Sequence, residues 1–475
     1  MLEAARYSKL LINGEWVDTQ THFPVYDKFS GTIIANVASA TEDHVKAAVA
    51  AAHAATAVDA PPPHARAEVL YKAARLLQVH AEAFRDAMVA EAGFTVIDAE
   101  TEVKRAVLTL ELSAETAKTI CGHVVPFGSH PGSEKRIGFT VREPVGVVCA
   151  ITPFNSPLNT VLHKIGPSFA AGNPTVLKPS SLTPLTSGLL GHVLLEAGMP
   201  VDYLHIIQGG GAVGEYLLTH PDIAFYTFTG STRVGRIIQD HAGLRRTQME
   251  LGSIASTIIC ADADLDKALP KVANAGMRKA GQVCTSVQRL FVHESVYAEV
   301  VARLTDIASG MKAGDPADPD VKVGPMISEA AAIRAQEWVE KAVADGARLH
   351  CGGSRSGSVM QPSVLTDVAE TSAVWCSEAF APIISVRPFR DFNEAVTIAN
   401  DTPFGLAAGV FTRNMENALS AMRRLRFGTV QINETSSARA DVMPFGGIKE
   451  SGFGKEGPHY AALEMTVERL LVLNP

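Results

Sequence analysis

The chain of 475 residues contains no run of about 18 apolar residues, so it offers no segment of the length a membrane-spanning helix needs. Its six cysteines, at 121, 149, 260, 284, 351 and 376, form no CxxC pair and no metal-ligand spacing, which disfavours both a disulfide framework and a structural metal site. No basic tract is concentrated enough to follow a phosphate backbone. With 42 basic against 50 acidic residues, a formal charge of −8 and a pI near 6.0, nucleic acid is not an expected partner. Charges in Met1-Leu2-Glu3-Ala4-Ala5-Arg6 fall where a secretory sequence would need an apolar core. A cytoplasmic protein with free thiols is expected, with no membrane partner. No long-period repeat occurs either, and Gly352-Gly353-Ser354-Arg355-Ser356-Gly357-Ser358 reads as a flexible surface loop.

What is present is a chain that is 47% hydrophobic and long enough to bury substantial cores in several domains. A hairpin-like stretch runs from Leu11 to Val17. After Pro61-Pro62-Pro63, the apolar residues Val69, Leu70, Ala73, Leu76, Leu77, Phe84 and Met88 recur at helical spacing. From Val145 the texture changes to short β-branched runs: 145–151, 175–177, 204–207, 224–228 and 257–260. Gly or Pro lies close to most of them, which predicts buried parallel strands joined by crossover helices. A second series follows, with strands at 289–292, 383–388, 407–411 and 429–432 and a helix over 296–311. Two α/β domains are predicted, with a cleft near residues 250 to 290. The alternating segments 135–142 and 466–473 could pair with each other or with another subunit as an oligomerisation arm.

The most informative pairing joins Gly281-Gln282-Val283-Cys284-Thr285-Ser286 with Met249-Glu250-Leu251-Gly252. A small-residue turn presents one thiol. A carboxylate lies 284 − 250 = 34 residues earlier, among apolar neighbours able to raise its pKa toward neutrality. Together they are equipped to make and hydrolyse a thioester, although a lone Cys also fits core packing and a lone Glu a solvated helix face. Ile151-Thr152-Pro153-Phe154-Asn155-Ser156-Pro157 follows a buried strand, where α/β proteins build sites. The Asn155 carboxamide there could donate to an oxyanion together with the Cys284 backbone N–H; a turn residue is the alternative reading. Lys178 ends another strand and suits ribose hydroxyls or phosphate, or simple exposure. Gly209-Gly210-Gly211-Ala212-Val213-Gly214 matches GxGxxG formally but lacks the acidic residue expected about 20 positions later. Phe228-Thr229-Gly230-Ser231-Thr232-Arg233-Val234-Gly235 turns from strand to helix, as either a pyrophosphate site or a plain N-cap.

These segments, in this order, resemble the aldehyde dehydrogenase superfamily over essentially the whole chain. The likeness extends to Glu378-Ala379-Phe380-Ala381-Pro382, Thr402-Pro403-Phe404-Gly405-Leu406 and Met443-Pro444-Phe445-Gly446-Gly447-Ile448-Lys449-Glu450-Ser451-Gly452. The resemblance implies an α/β fold of two Rossmann-like three-layer domains with a β-strand oligomerisation arm. Residues 1–120 and 143–252 would bind the dinucleotide, 253–440 would form the catalytic domain, and 121–142 with 455–475 the arm. It implies Cys284 as nucleophile, Asn155 as oxyanion donor and Glu250 as the base for thioester hydrolysis. Cofactor contacts would come from Ile151, Thr152, Phe154, Lys178, Ser181 and Gly211 on one side of the cleft. Gly230, Ser231, Val234, Leu251, Glu378 and Phe380 would supply the rest, and Glu456 would join a proton relay. No metal is implied.

Departures from the family pattern bear on specificity. Ser181 stands where many NAD-preferring members carry a glutamate, so the cofactor is expected to be NADP or NAD, with repulsion of a 2′-phosphate removed. Ser253 and Ala381 replace frequent glycines. Arg439, in the loop before the Met443–Gly452 motif, is a candidate to bind a carboxylate or phosphate on the aldehyde, with a solvated loop residue as the alternative. The expected reaction is NAD(P)-dependent oxidation of a small-molecule aldehyde by a homodimer or homotetramer. Two alternatives are a CoA-acylating semialdehyde dehydrogenase, against which Glu250 speaks, and a cofactor-independent cysteine esterase or acyltransferase.

Overall fold

A computed structural model describes residues 7–475; the reading of Met1–Arg6 lies outside them. The chain opens with the expected hairpin, Leu10–Ile12 against Glu15–Val17. Asn13 and Gly14 form its turn at φ 48° and 81°, the left-handed pair that a two-residue hairpin turn requires.

The hairpin edges an eight-stranded sheet. In spatial order, the strands are Glu15–Val17, Leu10–Ile12, Leu204–Ile206, Thr175–Lys178, Val147–Ile151, Ile223–Thr229, Arg246–Glu250 and Gly452–Phe453. The five central strands are parallel, from Leu204–Ile206 to Arg246–Glu250. Alternate residues face opposite layers, as the pleat demands. Ala150 and Leu177 pack with the helices Pro63–Val79, Val96–Thr119 and Asn159–Ala170, whereas Cys149 and Val176 pack with Glu42–Ala55. Chain order reverses between Val147–Ile151 and Ile223–Thr229, which creates a crevice at the strands' C-terminal ends.

A second sheet has seven strands in the order Arg348–Cys351, Ser363–Thr366, Ile383–Phe389, Arg289–His293, Ser256–Ile259, Ala407–Phe411 and Thr429–Ile432. Only its first pair is antiparallel. The segments Ile137–Pro144 and Thr466–Leu473 pair with each other along their full length, with Val124–Val125 on the outer side. Among the described residues, no helix is long and apolar enough to cross a membrane.

Four local readings need correction. The helical pattern over 69–88 is two helices, Pro63–Val79 and Ala81–Ala92, because His80 leaves helical geometry while Leu77 and Phe84 still reach one core. Ser256–Ile259 continues the first strand series in sequence but lies centrally in the second sheet. Arg246–Glu250 is a strand that its polar composition concealed. Finally, 352–358 is not a flexible loop: Arg355–Ser356 pairs with Val359–Met360 around Gly357, and the buried Ser358 hydroxyl donates to Lys28 O.

Candidate active site

The loop that carries Cys284 begins where the helix Leu265–Met277 stops. Lys279, Ala280 and Gly281 are left-handed in succession, at φ 52°, 53° and 68°. A Cβ on Gly281 would lie 2.0 Å from Ala381 O, so only glycine admits this close approach. The turn carries Cys284 into the cleft between the sheets. Asn155 Nδ2 donates to Gln282 O at 2.8 Å, and Ile327 N donates to Gln282 Oε1 at 2.9 Å. Glu250 arrives from the opposite side, at the end of its strand in register with Thr229.

Glu250 is 4% exposed, shares a hydrogen bond with the Cys284 thiol, and its Oε1 has no partner. Burial, followed by the neighbouring Glu456 carboxylate, pushes its pKa up to about 8. Burial and the Glu250 charge push the thiol well above its ordinary value, while Arg439 opposes that rise. The resting pair therefore keeps its proton at neutral pH, with a base formed as Glu250 ionises.

Glu456 is 2% exposed. Lys164 Nζ donates to its Oε1 at 3.1 Å, Thr229 Oγ1 to the same oxygen at 2.9 Å, and an Arg439 terminal nitrogen to Oε2 at 2.9 Å. Burial would raise this carboxyl, but Lys164 and Arg439 outweigh it and hold the group well below the usual range. Arg439 also stacks on Phe445, 4.1 Å from the ring centroid. Neither a solvated loop residue nor an unpaired cation, it already has a carboxylate.

Three cations that the sequence reading passed over lie nearby. Lys164 is one. Arg105 grips Asp441 through two bonds of 2.7 and 3.1 Å; Asn159 Nδ2 donates to the same carboxylate, and His163 Nε2 lies 2.9 Å from it. Arg278 lines the cavity and donates to Ser437 Oγ at 2.8 Å, and among the described residues no carboxylate pairs with it. The one sequence signal for it was a basic pair, Arg278-Lys279, directly after an apolar helix.

The cavity, about 770 Å³, continues from Cys284 to the crevice of the first sheet. Thr152, Phe154, Lys178, Ser181, Gly211, Gly230, Ser231, Val234, Leu251, Glu378 and Phe380 all line it; Ile151, one position earlier on its strand, does not. Parallel register aligns Ile151 with Lys178 and Phe228, so the loops beyond them open side by side. Burial lowers the Lys178 pKa to about 8, and its ammonium has only a long contact, 3.5 Å, to Pro179 O. Burial raises Glu378 to about 7, and its Oε1 accepts from Ser253 N at 3.1 Å. Two helices start at this crevice, Gly211–Thr219 and Thr232–Ala242, the second capped by Ser231. The buried Thr152 Oγ1 has no partner among the described residues. Paired helix N-termini, an unpaired lysine and an orphaned hydroxyl fit a dinucleotide with its pyrophosphate at the helix ends. Phe154 and Phe380 meet edge to face at 5.8 Å in the wall of the same cavity. Ser253, the substituted glycine, keeps its hydroxyl buried without a partner.

The family model described as "Aldehyde dehydrogenase family" matches residues 16–470. A 3-sulfolactaldehyde dehydrogenase of Priestia megaterium is 44% identical, with 98% of each chain covered. Among solved structures, aldehyde dehydrogenase 21 from Physcomitrella patens, in complex with the reaction product succinate, superposes with a TM-score of 0.96 at 33% identity, covering 98% of each chain. An NADP-dependent glyceraldehyde-3-phosphate dehydrogenase from Bacillus halodurans, complexed with NADP, gives a TM-score of 0.95 at 32% identity, covering 98% of this chain and 99% of that one. Thiol, carboxyl, carboxamide and dinucleotide crevice thus meet in one cavity on a chain that belongs to the aldehyde dehydrogenase family, and the protein is an NAD(P)-dependent enzyme that oxidises an aldehyde to its acid.

Proposed function

We propose that the substrate is an aldehyde carrying an anionic group, oxidised through a thioester on Cys284. The observation behind this reading is Arg278, a cavity-lining guanidinium bonded to Ser437 and, among the described residues, to no carboxylate. An uncompensated cation in a low-dielectric cavity binds an anion strongly, and guanidinium suits carboxylate, sulfonate and phosphate alike. The named relatives support the reading, since sulfolactaldehyde, succinate and glyceraldehyde 3-phosphate each carry such a group. Arg278 takes the role that sequence reading gave to Arg439.

In this mechanism, Glu250 takes the Cys284 proton as the sulfur forms a bond to the aldehyde carbon. Asn155 Nδ2 and the Cys284 N–H donate to the oxygen that becomes negative. The bound nicotinamide supplies the hydride acceptor. The Cys284 thioester remains; Glu250, having passed the thiol proton to solvent, removes a proton from the water that attacks the thioester and returns it to the departing sulfur, releasing the acid and the thiol. Two features of the buried Glu456 favour a fixed anion over a relay member: its two cations, and its raising effect on Glu250.

Residues 1–120 with 143–252 serve as the dinucleotide-binding domain and 253–440 as the catalytic domain. Ser181, beside Lys178, permits a 2′-phosphate, so NADP is accepted as well as NAD. Regions 121–142 and 455–475 form an arm joining a dimer or tetramer. In its support, Ile137, Phe139, Leu470, Leu471, Val472 and Leu473 expose apolar side chains on paired strands. Six free cysteines fit a cytoplasmic location.

The test is a panel of aldehydes matched in chain length, with sulfonate, carboxylate, phosphate or methyl termini, assayed with both dinucleotides. We expect kcat/KM to be about 100-fold higher for the anionic members; equal values would refute the substrate class. Cys284→Ala should abolish turnover while leaving dinucleotide binding intact, and peptide mapping of a trapped adduct should locate it on Cys284. Glu250→Gln should give a slowed burst of reduced dinucleotide, no more than one equivalent per site, and then stall.

A further inference from the structure

Glu102 lies in the helix Val96–Thr119, distant in sequence from every residue given a role above, and is 2% exposed. Its Oε1 accepts from Ser156 Oγ at 2.7 Å, Leu158 N at 3.3 Å and Asn159 N at 3.1 Å. These groups open the helix Asn159–Ala170, which has no side-chain cap of its own. Glu102 therefore caps it from a neighbouring helix. The second oxygen, Oε2, lies 2.5 Å from Lys279 Nζ. Burial would raise the Glu102 pKa, but Lys279 and the surrounding donors hold it below its ordinary value. Lys279 Nζ is also 4.1 Å from the centroid of the Phe94 ring.

From Lys279 the bonds close into a ring. Asn155 O accepts from Lys279 Nζ at 3.0 Å, and Asn155 Nδ2 donates to Gln282 O at 2.8 Å. Gln282 returns to Lys279 O through both its backbone N–H and its Nε2, each at 3.1 Å. The ring joins the two sides of the cleft and ends two residues before Cys284. Non-glycine residues persist in left-handed geometry, as Lys279 and Ala280 do, only where surroundings hold them. Here Asp98 Oδ2 accepts the Lys279 N–H at 3.2 Å, and Glu102 anchors the side chain.

We propose that the Glu102–Lys279 ion pair is a positioning element for the reaction, setting the Asn155 carboxamide at the distance from the Cys284 sulfur that oxyanion stabilisation requires. The inference rests on the reading of Asn155 as oxyanion donor and Cys284 as nucleophile. A carboxamide nitrogen has two hydrogens, and the bond to Gln282 O occupies one, leaving the other for the developing oxyanion. A pair that only stabilised the fold could be replaced by neutral side chains of similar size without loss of rate; a positioning pair could not.

The experiment compares Lys279→Met, Glu102→Gln and the double variant, with Lys279→Met also placed in an Asn155→Ala background. Single-turnover dinucleotide reduction, aldehyde KM, dinucleotide Kd and Tm are measured on each. Lys279→Met should slow single-turnover reduction about 30-fold, with KM and Kd changed less than about twofold. The double variant, with neither charge buried alone, should regain wild-type Tm but not wild-type rate. In the Asn155→Ala background, Lys279→Met should cost less than about threefold, because both changes remove one interaction. Wild-type rate in the double variant, or an undiminished Lys279→Met effect without Asn155, would overturn the proposal. Should Lys279→Met fail to fold, Lys279→Arg serves in its place: about a tenfold slower step at unchanged Tm supports positioning, and wild-type rate defeats it. Asn155→Ala alone tests the underlying reading, since an unimpaired single turnover would remove the oxyanion assignment itself.

Discussion

Arg439 and Arg278 line the same cavity and differ chiefly in what stands opposite them. Arg439 faces Glu456 at 2.9 Å and is 16% exposed in its side chain; Arg278 has a serine hydroxyl and no carboxylate among the described residues. Their electrostatic surroundings differ: Arg439 is ion-paired, whereas Arg278 feels Asp98 and Glu102 without a bond to either. A compensated guanidinium belongs to the protein's internal charge balance, and removing it leaves a buried anion stranded. An uncompensated one leaves its binding capacity to whatever enters the cavity. Both are arginines that line one cavity, so the partner is what distinguishes a structural cation from a recognition one.

The comparison can be broken by experiment, most forcefully at Arg439. Arg439→Met should destabilise the fold by about 3–5 kcal/mol in urea denaturation, the usual cost of stranding one member of a buried pair. It should lower kcat/KM equally for anionic and neutral aldehydes, and a loss confined to anionic aldehydes would reverse the two assignments. At Arg278, replacement by Met should cut kcat/KM for anionic aldehydes about 100-fold, or about 2.7 kcal/mol. Neutral aldehydes and urea stability should hardly change; a uniform loss across the panel would contradict the recognition role.

The third variant sharpens the account of Glu456 as a fixed anion. Its charge helps burial hold the Glu250 proton to about pH 8, against an ordinary value of 4.5. Between those values the folded chain binds more protons at this site than the unfolded chain, so Glu250's contribution to stability falls as pH rises. Glu250→Gln lacks that dependence. Its stability relative to wild type should increase by up to about 5 kcal/mol from pH 4 to pH 9, and a decrease would mean Glu250 is not proton-loaded. The smallest effect concerns the far end of the cavity. Ser181→Glu should reduce kcat/KM with NADP about tenfold relative to NAD, about 1.4 kcal/mol of repulsion; an unchanged ratio would place the 2′-phosphate elsewhere.

Much of the fold was legible because its signals are local. The buried strands Val147–Ile151 and Ala407–Phe411 are continuous apolar runs, and Asn13-Gly14 is a hairpin turn by its chemistry alone. Arg246–Glu250 escaped notice because four of its five residues, Arg246, Thr247, Gln248 and Glu250, are polar, with partners elsewhere such as Lys455 O for Gln248 and Thr466 O for Arg246. Within the site, Cys284 and Asn155 could be picked out because each sits on a small-residue or proline-bounded turn, and Glu250 because it is a lone carboxyl among apolar neighbours just before Gly252. Glu102, Lys164, Arg105 and Arg278 could not, since a polar residue in or next to a helix looks solvated until its burial is known.

By itself the sequence determined the candidate groups and the small-residue segments beside them: a thiol after Gly281, a carboxyl just before Leu251-Gly252, and glycines at the crevice. Tertiary structure alone decided which charges are neutralised. Arg105 meets Asp441 across 336 residues and Glu102 meets Lys279 across 177, while Arg278 meets no carboxylate in the described chain. Coulomb attraction in a low-dielectric interior depends on distance through space, and no spacing along the chain encodes that distance until the two sheets have closed on one another.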